Sequence, residues 1–148
     1  MVEGVLMVNK VLNAITTLLG TNFGTGYRYY VENVEQGLTK PAFHVSFLET
    51  FSRSRGTVLY DRTFPVVVHF FTDQKENTIT ECYKMAEILS ELLELITIEG
   101  KLVRGRDISW NITDDVLQFF ITYEFATQKI TDVETNMDEF VSTSNINY

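Results

Sequence analysis

The sequence is poor in the residues that hold covalent or metal-bound frameworks together. Its 148 residues include one cysteine, Cys82, and two histidines. A single cysteine cannot form an intrachain disulfide, and a free thiol is typical of proteins that fold in a reducing cytoplasm. No stretch of about 18 apolar residues occurs, and no basic start leads into an apolar run with a small-residue cleavage site. We therefore expect no disulfide, no membrane span and no secretion signal.

Basic residues are scarce as well. The chain has twelve lysine and arginine residues and twenty acidic residues, which gives a formal net charge of -8. This charge repels a phosphate backbone and argues against tight nucleic-acid binding. Solubility alone explains such a charge, so it does not identify a partner.

No group of residues has the composition of a metal site or of an activated nucleophile. His44 and His69 are expected on neighbouring strands, but no second pair of ligands accompanies them at the spacing of a metal site. We interpret them as surface or interface histidines. Cys82 belongs to the apolar stripe of a predicted helix, where a free cysteine behaves as a small hydrophobic residue rather than as a nucleophile.

The paired aspartates and the grouped glycines have equally ordinary interpretations. Asp114 and Asp115 stand between two predicted strands, where adjacent aspartates are typical of a turn and point apart. Gly20, Gly24 and Gly26 do not form a phosphate-binding loop, because no Gly-Lys-Ser or Gly-Lys-Thr sequence follows them. We predict no catalytic residue, no cofactor-binding residue and no metal ligand, and hence no enzyme.

Apolar patterning is what the sequence has in abundance. Apolar residues make up 45% and aromatic residues 13% of the chain, as in one packed domain with much of its core in a sheet. Residues 5–19 carry apolar residues three and four apart, which predicts an amphipathic helix that ends at Gly20. Residues 78–95 predict a second helix, with Thr78 and Glu81 as a capping box. Its predicted buried stripe is Ile79, Cys82, Tyr83, Ala86, Leu89, Leu92 or Leu93, and Ile96.

Five segments alternate with the period of a strand: residues 27–31, 42–53, 57–71, 106–113 and 116–127. A short connection at Ser54, Arg55 and Gly56 predicts a hairpin between the second and third segments. Glu99 and Gly100 predict a tight reversal after the second helix. Pro65 cannot donate a hydrogen bond to a sheet, so we expect the third segment to lie partly at an edge or to carry a bulge.

These elements predict an α+β fold with a mainly antiparallel sheet of four to five strands and both helices packed on one face. Residues 1–128 form the predicted domain. Residues 129–148 are acidic and polar with isolated apolar residues, and we expect an extended C-terminal tail able to dock on a partner. The strand residues expected in the core are Phe43, Val45, Phe47, Val66, Val68, Ile108, Trp110, Phe119, Ile121 and Tyr123.

The few basic residues fall into two groups, one about the first predicted hairpin and one about the loop of residues 100–105. Any one of them is an ordinary solvated charge. As groups in an acidic chain they suggest contacts with other subunits or partners, because arginine is enriched at interfaces and acidic subunits need complementary basic edges. The residues predicted to form such an interface are Arg53, Arg55, Arg62, Lys101, Arg104 and Arg106.

Three segments carry a resemblance to a known family. Residues 34–45 read Val-Glu-Gln-Gly-Leu-Thr-Lys-Pro-Ala-Phe-His-Val, so that a glycine turn leads into a strand that begins with proline. Residues 85–89 read Met-Ala-Glu-Ile-Leu, and residues 102–108 read Leu-Val-Arg-Gly-Arg-Asp-Ile. Through these segments, and over most of its length to about residue 128, the chain resembles the small tail terminator proteins of phages and phage-like particles of Gram-positive bacteria.

The resemblance implies a structural virion protein that forms a ring, usually of six subunits, and caps the tail tube at its correct length. Its implied partners are other copies of itself, the tail tube protein, the neck or connector protein and, in contractile tails, the sheath protein. DNA would pass through an acidic lumen without specific binding. The implied location is the tail or neck of the virion, assembled in the bacterial host cytoplasm, with no cofactor and no membrane.

Two other interpretations compete with this one. The chain could be another neck or head–tail joining protein, which would share the ring and the location. It could also be a small cytoplasmic α+β enzyme or ligand-binding domain. A concave apolar pocket with a few converging polar groups would favour the latter class, whereas aromatic residues and arginines on exposed hairpins would favour a ring-forming protein.

Overall fold

The chain folds as two helices packed on a mixed seven-stranded sheet. The structure, a computed structural model, describes residues 2–31, 37–56 and 59–128. The elements in chain order are α1 (Val2–Phe23), a 3₁₀ turn (Gly24–Gly26), β1 (Arg28–Tyr30), β2 (Ala42–Phe47), β3 (Phe51–Arg55), β4 (Leu59–Phe71), α2 (Thr78–Leu92), β5 (Leu95–Ile98), β6 (Lys101–Thr113) and β7 (Val116–Gln128). The predicted α+β class is confirmed. The predicted C-terminal tail, residues 129–148, lies outside the described residues.

The sheet has more strands than the four to five predicted. Its order is β1-β2-β4-β7-β6-β5, and β3 pairs with β4 beside β2. β1 runs parallel to β2, while the other described pairs are antiparallel. The longest ladder joins β4 and β7 from Leu59↔Gln128 to Phe71↔Val116. These two 13-residue strands form the centre of the sheet, to which the shorter strands attach.

The core lies between the helices and one face of this sheet. In α1, Met7, Val11, Ile15 and Leu19 are spaced four apart, so they share one face of the helix, and all four are buried. They belong to one cluster with the inward stripe of α2 and with alternate residues of β2, β4 and β7. Both helices therefore cover the same face of the sheet. Of the strand residues predicted for the core, Phe47 and Ile108 are partly buried and pack against this cluster, whereas Trp110 is not buried.

Trp110 is 38% exposed because of its place in β6. Residues 101–104 of β6 pair with β5, but from Arg106 onwards β6 has only β7 beside it. The indole stacks on Phe119 with ring centroids 6.3 Å apart, and its other side is open. The period-two alternation correctly predicts that Trp110 lies on the face of the sheet that carries the core. A strand at the edge of the sheet, however, has no second neighbour to cover the rest of a large ring.

The second helix is shorter than predicted, and the prediction of its end was wrong. α2 ends at Leu92, and Leu95–Ile98 form the strand β5. In β5 the buried residues are Ile96 and Ile98, an alternation typical of a strand. The reversal predicted at Glu99 and Gly100 is confirmed. Both residues have positive φ, 53° and 78°, as in the turn that matches the twist of a two-residue hairpin.

The start and the buried face of α2 also differ from the prediction. The N-cap is Asn77 rather than Thr78, and no side-chain capping bond forms, so the capping box is absent. The buried residues of the helix are Cys82, Met85, Ala86 and Leu89. Ile79 and Tyr83, which the spacing predicts in the buried stripe, are instead 44% and 54% exposed. The stripe is narrower than predicted because α2 packs on the sheet along a single line of residues.

The strand predicted over residues 42–53 is divided into β2 and β3. Both pair with β4, β2 from Phe47↔Val66 onwards and β3 from Phe51↔Thr63. The division lies opposite Pro65, whose carbonyl accepts a hydrogen bond of 2.9 Å from the Leu48 backbone N–H. The Pro65 nitrogen faces the same side of β4 as this carbonyl and has no hydrogen to donate. The ladder between β4 and its neighbours is therefore interrupted at Pro65. The expected irregularity therefore occurs in the neighbouring strands, while β4 itself is central.

Candidate partner interface

The first basic group lies on a three-stranded part of the sheet that we call the arm. It consists of β3, residues 59–63 of β4 and residues 124–128 of β7. Register places Arg53 opposite Asp61 and Ser52 opposite Arg62, while Phe125 of β7 lies opposite Arg62 on the other side. Ser52, Arg53 and Ser54 are exposed. The arm thus presents these three polar residues of β3 to solvent.

The three arginines of this group have different environments. Arg53 is exposed on the sheet face that points away from the helices. Arg55 belongs to β3 by its backbone, and its side chain lies outside the described part of the structure. Arg62 is only 8% exposed, and its guanidinium lies over the Phe64 ring at 5.2 Å from the centroid. Its buried Nε has no hydrogen-bond acceptor among the described residues. Of the three, Arg62 is therefore a buried cation at the base of the arm.

The second basic group lines the first half of β6. Lys101 is exposed at the β5–β6 turn. Arg104 donates to Glu94 Oε2 at 2.6 Å, and its side chain remains 64% exposed. Arg106 pairs with Glu124 of β7 and remains 58% exposed. Exposed pairs of this kind contribute only about 0–1 kcal/mol to folding, so these arginines are held in place without being needed for stability.

The two groups meet across the sheet, which the sequence does not reveal. Glu124 pairs with Arg106 on β6 and accepts a hydrogen bond of 3.2 Å from the Thr63 hydroxyl on β4. Thr63 is adjacent in sequence to Arg62 and lies on the same face as Arg53. Residues about forty positions apart in the chain are therefore brought to one surface by the β4–β7–β6 register.

A groove separates β6 from β7 at this surface. The β6–β7 ladder begins at Gly105↔Tyr123, while β7 continues to Gln128 with only β4 beside it. Residues 124–128 thus present an open strand edge within the described part of the chain. The groove beside this edge has a volume of about 330 Å³ and is lined by Leu102, Val103, Arg104, Arg106, Glu124 and Phe125. Leu102 is 71% exposed, the most exposed large apolar side chain that the structure describes. Sequence reasoning missed this residue and the open edge.

The two histidines lie together, as predicted, but on the sheet face away from the helices. Register places His44 opposite His69, with ring centroids 6.0 Å apart. Burial, followed by the neighbouring His44, lowers the pKa of His69 below its ordinary value. Among the described residues, no three or more histidine, cysteine or acidic side chains come together as a metal site would require. The lowered pKa favours the neutral form of the His69 imidazole.

Cys82 and the aspartate pair have structural surroundings. The Cys82 thiol is buried, and burial raises its pKa, which opposes formation of a nucleophilic thiolate. Its Sγ lies 3.9 Å from the carbonyl oxygen of Asp115. Asp114 and Asp115 both have positive φ, 52° and 63°, and form the β6–β7 turn. The turn interpretation of the two aspartates is confirmed.

A second groove, of about 400 Å³, runs between α1 and β5, and Lys10 and Glu99 form an ion pair of 2.5 Å at its rim. It is open and lined by short polar and aliphatic side chains from both elements. Neither groove has the enclosed apolar shape with converging polar groups that a small-molecule site requires. In the part of the chain that the structure describes, neither helix is both long and apolar enough to cross a membrane.

Comparisons with known proteins give one informative result. A family model described as phage tail terminator protein matches residues 10–135. No curated protein matches the chain. Several solved structures match, and one of them aligns with 84% of this chain and 97% of its own length, at 13% identity and a TM-score of 0.45, so it carries no argument about fold or function. The family match covers both helices from residue 10 onwards, every strand and both basic groups.

Proposed function

The chain belongs to the phage tail terminator protein family, and we propose that it acts as a closed ring, a hexamer, at the head-proximal end of the tail tube. The tail terminator family consists of structural virion proteins that cap the phage tail and are not enzymes, and this chain is one of them. It also implies binding to tail components. The ring, its size and the individual partners go beyond what family membership shows, and they are our proposal.

The observation that supports a ring is the surface shared by the two basic groups. The chain carries a net charge of -8, so identical subunits repel one another unless basic patches meet acidic ones. Arg53, Lys101, Arg104 and Arg106 are exposed on the arm or on the neighbouring half of β6. A patch on one side of a subunit that binds a different patch on the next subunit gives a head-to-tail contact, which closes into a ring when the rotation fits.

We propose the six basic residues named from the sequence as the contact region. Arg53, Arg55, Lys101, Arg104 and Arg106 would meet a neighbouring subunit or a tail partner. Arg62 would hold the base of the arm through its contact with Phe64. The partners in this proposal are the tail tube protein, the neck or connector protein and, in a contractile tail, the sheath protein. DNA would pass through the lumen without specific binding, and assembly would take place in the host cytoplasm.

Deleting the gene tests the terminator function. We expect tail tubes of irregular length and tails that are not joined to heads, both counted by negative-stain electron microscopy. Complementation with the wild-type gene should restore uniform length. Normal-length tails joined to capsids in the deletion strain would contradict the proposal.

Charge reversal tests the interface. Arg104→Glu should weaken ring formation while the monomer keeps its fold, because Arg104 is 64% exposed and its pair with Glu94 contributes little to stability. The matched control is Arg28→Glu, the same reversal at an exposed position of β1, on the opposite side of the sheet order. Light scattering on size-exclusion peaks measures the oligomer, and circular dichroism measures the fold. Equal loss of rings in both variants would show that net charge, rather than this surface, governs assembly.

A further inference from the structure

Arg62 is a buried cation without an anion. Its side chain is 8% exposed, and among the described residues it makes neither an ion pair nor a hydrogen bond. The structure gives its guanidinium a contact with the Phe64 ring, 5.2 Å from the centroid. Burial of a charge without a paired ion costs free energy, whereas an apolar side chain of similar length would pack on Phe64 without that cost. The unpaired charge therefore indicates an anion that another molecule supplies.

The surroundings of Arg62 fit a carboxylate. Phe64 is flanked by Phe47 and Phe125, whose ring centroids lie 5.6 Å and 5.4 Å from its own. These rings limit the access of water, and a low local dielectric strengthens a charge-assisted hydrogen bond. Ser52 lies directly opposite Arg62 on β3 and is exposed, so its hydroxyl can donate to the same carboxylate. We call the Arg62 guanidinium and the Ser52 hydroxyl the Arg62 site.

The far end of the same sheet carries the complementary charge. The ladder between β4 and β7 runs from Leu59 at the arm to Phe71 at the other end. The β6–β7 turn, Asp114 and Asp115, lies at that other end, and both aspartates are exposed. Neither aspartate forms an ion pair among the described residues. Their positive φ gives a narrow two-residue turn that projects beyond the end of the ladder.

We propose that the β6–β7 turn of a neighbouring subunit docks on the arm and places a carboxylate of Asp114 or Asp115 on the Arg62 guanidinium. This proposal rests on the ring proposed above and names its head-to-tail contact. The two surfaces lie at opposite ends of 13-residue strands, about 40 Å apart at about 3.3 Å per residue. One chain cannot bring them together, so the contact joins two subunits. Because the two surfaces differ, each subunit uses both, as closure into a ring requires.

The distribution of the other charges favours a second copy as the partner. Arg104 and Arg106 each pair with a glutamate of their own subunit, so Arg62 differs from them in having no anion there. Asp73 and Glu76, in the loop between β4 and α2, add two exposed carboxylates to the acidic end. An acidic end and an unpaired cation at the opposite end are complementary. Their contact offsets the repulsion between copies of a chain whose net charge is -8.

Arg62→Met in the full-length chain separates association from folding. Methionine keeps an unbranched side chain over Phe64 and removes the unpaired charge, so the stability of the monomer in urea unfolding should be unchanged or higher. The subunit association constant, measured by sedimentation velocity, should instead fall at least about tenfold. A less stable monomer would overturn the proposal, because it would show that the charge of Arg62 serves the fold.

The aspartates of the turn are tested in the same assay. Asp114→Asn with Asp115→Asn should lower association as much as Arg62→Met does, and asparagine tolerates the positive φ of both positions. The control is Glu87→Gln with Glu91→Gln, which removes the same charge at exposed positions of α2 and should leave association unchanged. Equal loss of association in this control would overturn the contact in favour of a general effect of net charge.

Mixing the two variants tests the direction of the contact. The Arg62→Met chain keeps its acidic turn, and the Asp114→Asn, Asp115→Asn chain keeps its Arg62 site. At a concentration where each variant alone is monomeric, the mixture should form dimers and no larger species, because one intact contact remains. A mixture that stays monomeric while wild type forms rings would overturn this contact and leave the ring intact. A wild-type chain that stays monomeric both alone and on tail tubes would overturn the ring itself and the contact with it.

Discussion

Tyr123→Phe tests the hydrogen bond that joins the central strand β7 to the end of α2. The Tyr123 side chain is fully buried, and its hydroxyl donates to the carbonyl oxygen of Leu93 at 2.6 Å. Leu93 caps α2 through its own N–H to Leu89 and precedes the turn into β5. Phenylalanine keeps the ring and its packing, so the substitution leaves no large cavity. It leaves the Leu93 carbonyl buried without this donor.

We expect Tyr123→Phe to lower the free energy of unfolding by about 1–3 kcal/mol, the cost of one buried unsatisfied polar group. For a chain of this size, each kcal/mol corresponds to a fall in melting temperature of roughly 2–4 °C. Urea unfolding followed by circular dichroism measures the difference. Tyr83→Phe is the matched control, because Tyr83 is 54% exposed and loss of its hydroxyl should change stability by less than about 0.5 kcal/mol.

The same residue predicts a dependence on alkaline pH. Burial raises the pKa of Tyr123 above its ordinary value of 10.0, so the folded protein keeps the phenol protonated where the unfolded chain begins to ionise. The folded state then binds more protons, and its stability falls as pH rises above about 10. The Phe variant lacks this contribution, so its stability should fall less steeply there. A variant as stable as wild type at pH 7, with the same alkaline loss, would refute both the hydrogen bond and the buried phenol.

Three further substitutions test the packing and the histidine pair. Leu89→Ala should cost about 2–5 kcal/mol in urea unfolding because Leu89 is fully buried, whereas Ile88→Ala, next to it and 47% exposed, should cost far less. Gly105→Ala should cost about 1–3 kcal/mol, since its Cβ would lie 2.3 Å from an isoleucine side chain of β7; Gly20→Ala, with nothing within 4 Å in a helix, should instead stabilise by up to about 1 kcal/mol. The pKa of His69 is lower in the folded protein than its ordinary value of 6.5, so the folded state is fully favoured by this residue above pH 6.5 and loses that contribution as the pH falls towards the folded-state pKa. His69→Gln should therefore flatten the acid side of a curve of unfolding free energy against pH. Equal effects of a substitution and its control, or an unchanged acid slope, would contradict the corresponding assignment.

Local patterns predicted those parts of the fold that depend on neighbouring residues. The four-residue spacing along α1 and the alternation in β4 and β7 gave the helix, the strands and most of the core. The turns at Glu99–Gly100 and Asp114–Asp115 were predicted because glycine and aspartate are typical turn residues, and the structure gives all four positive φ. β5 was missed because the leucines that end α2 continue the helical spacing into it. The alternation of Ile96 and Ile98, with the β-branched Thr97 between them, was the signal that could have found it.

The candidate interface was predicted only in part, because it depends on contacts between distant strands. Two basic groups could be read from the sequence, but their meeting through Glu124 follows from the β4–β7–β6 register. The burial of Arg62 follows from the same register, which places it across from Phe125 and beside Phe64. Exposed Leu102 and the open edge of β7 arise where the β6–β7 ladder ends, a point that no local pattern marks.

The most direct test of the terminator assignment is electron microscopy of the purified full-length protein mixed with tail tubes that lack it. We predict closed rings, six-fold in projection, bound only at the end of the tube that faces the head, with further tube growth stopped. Protein bound along the sides of the tubes, or tubes that continue to grow with the protein present, would contradict it.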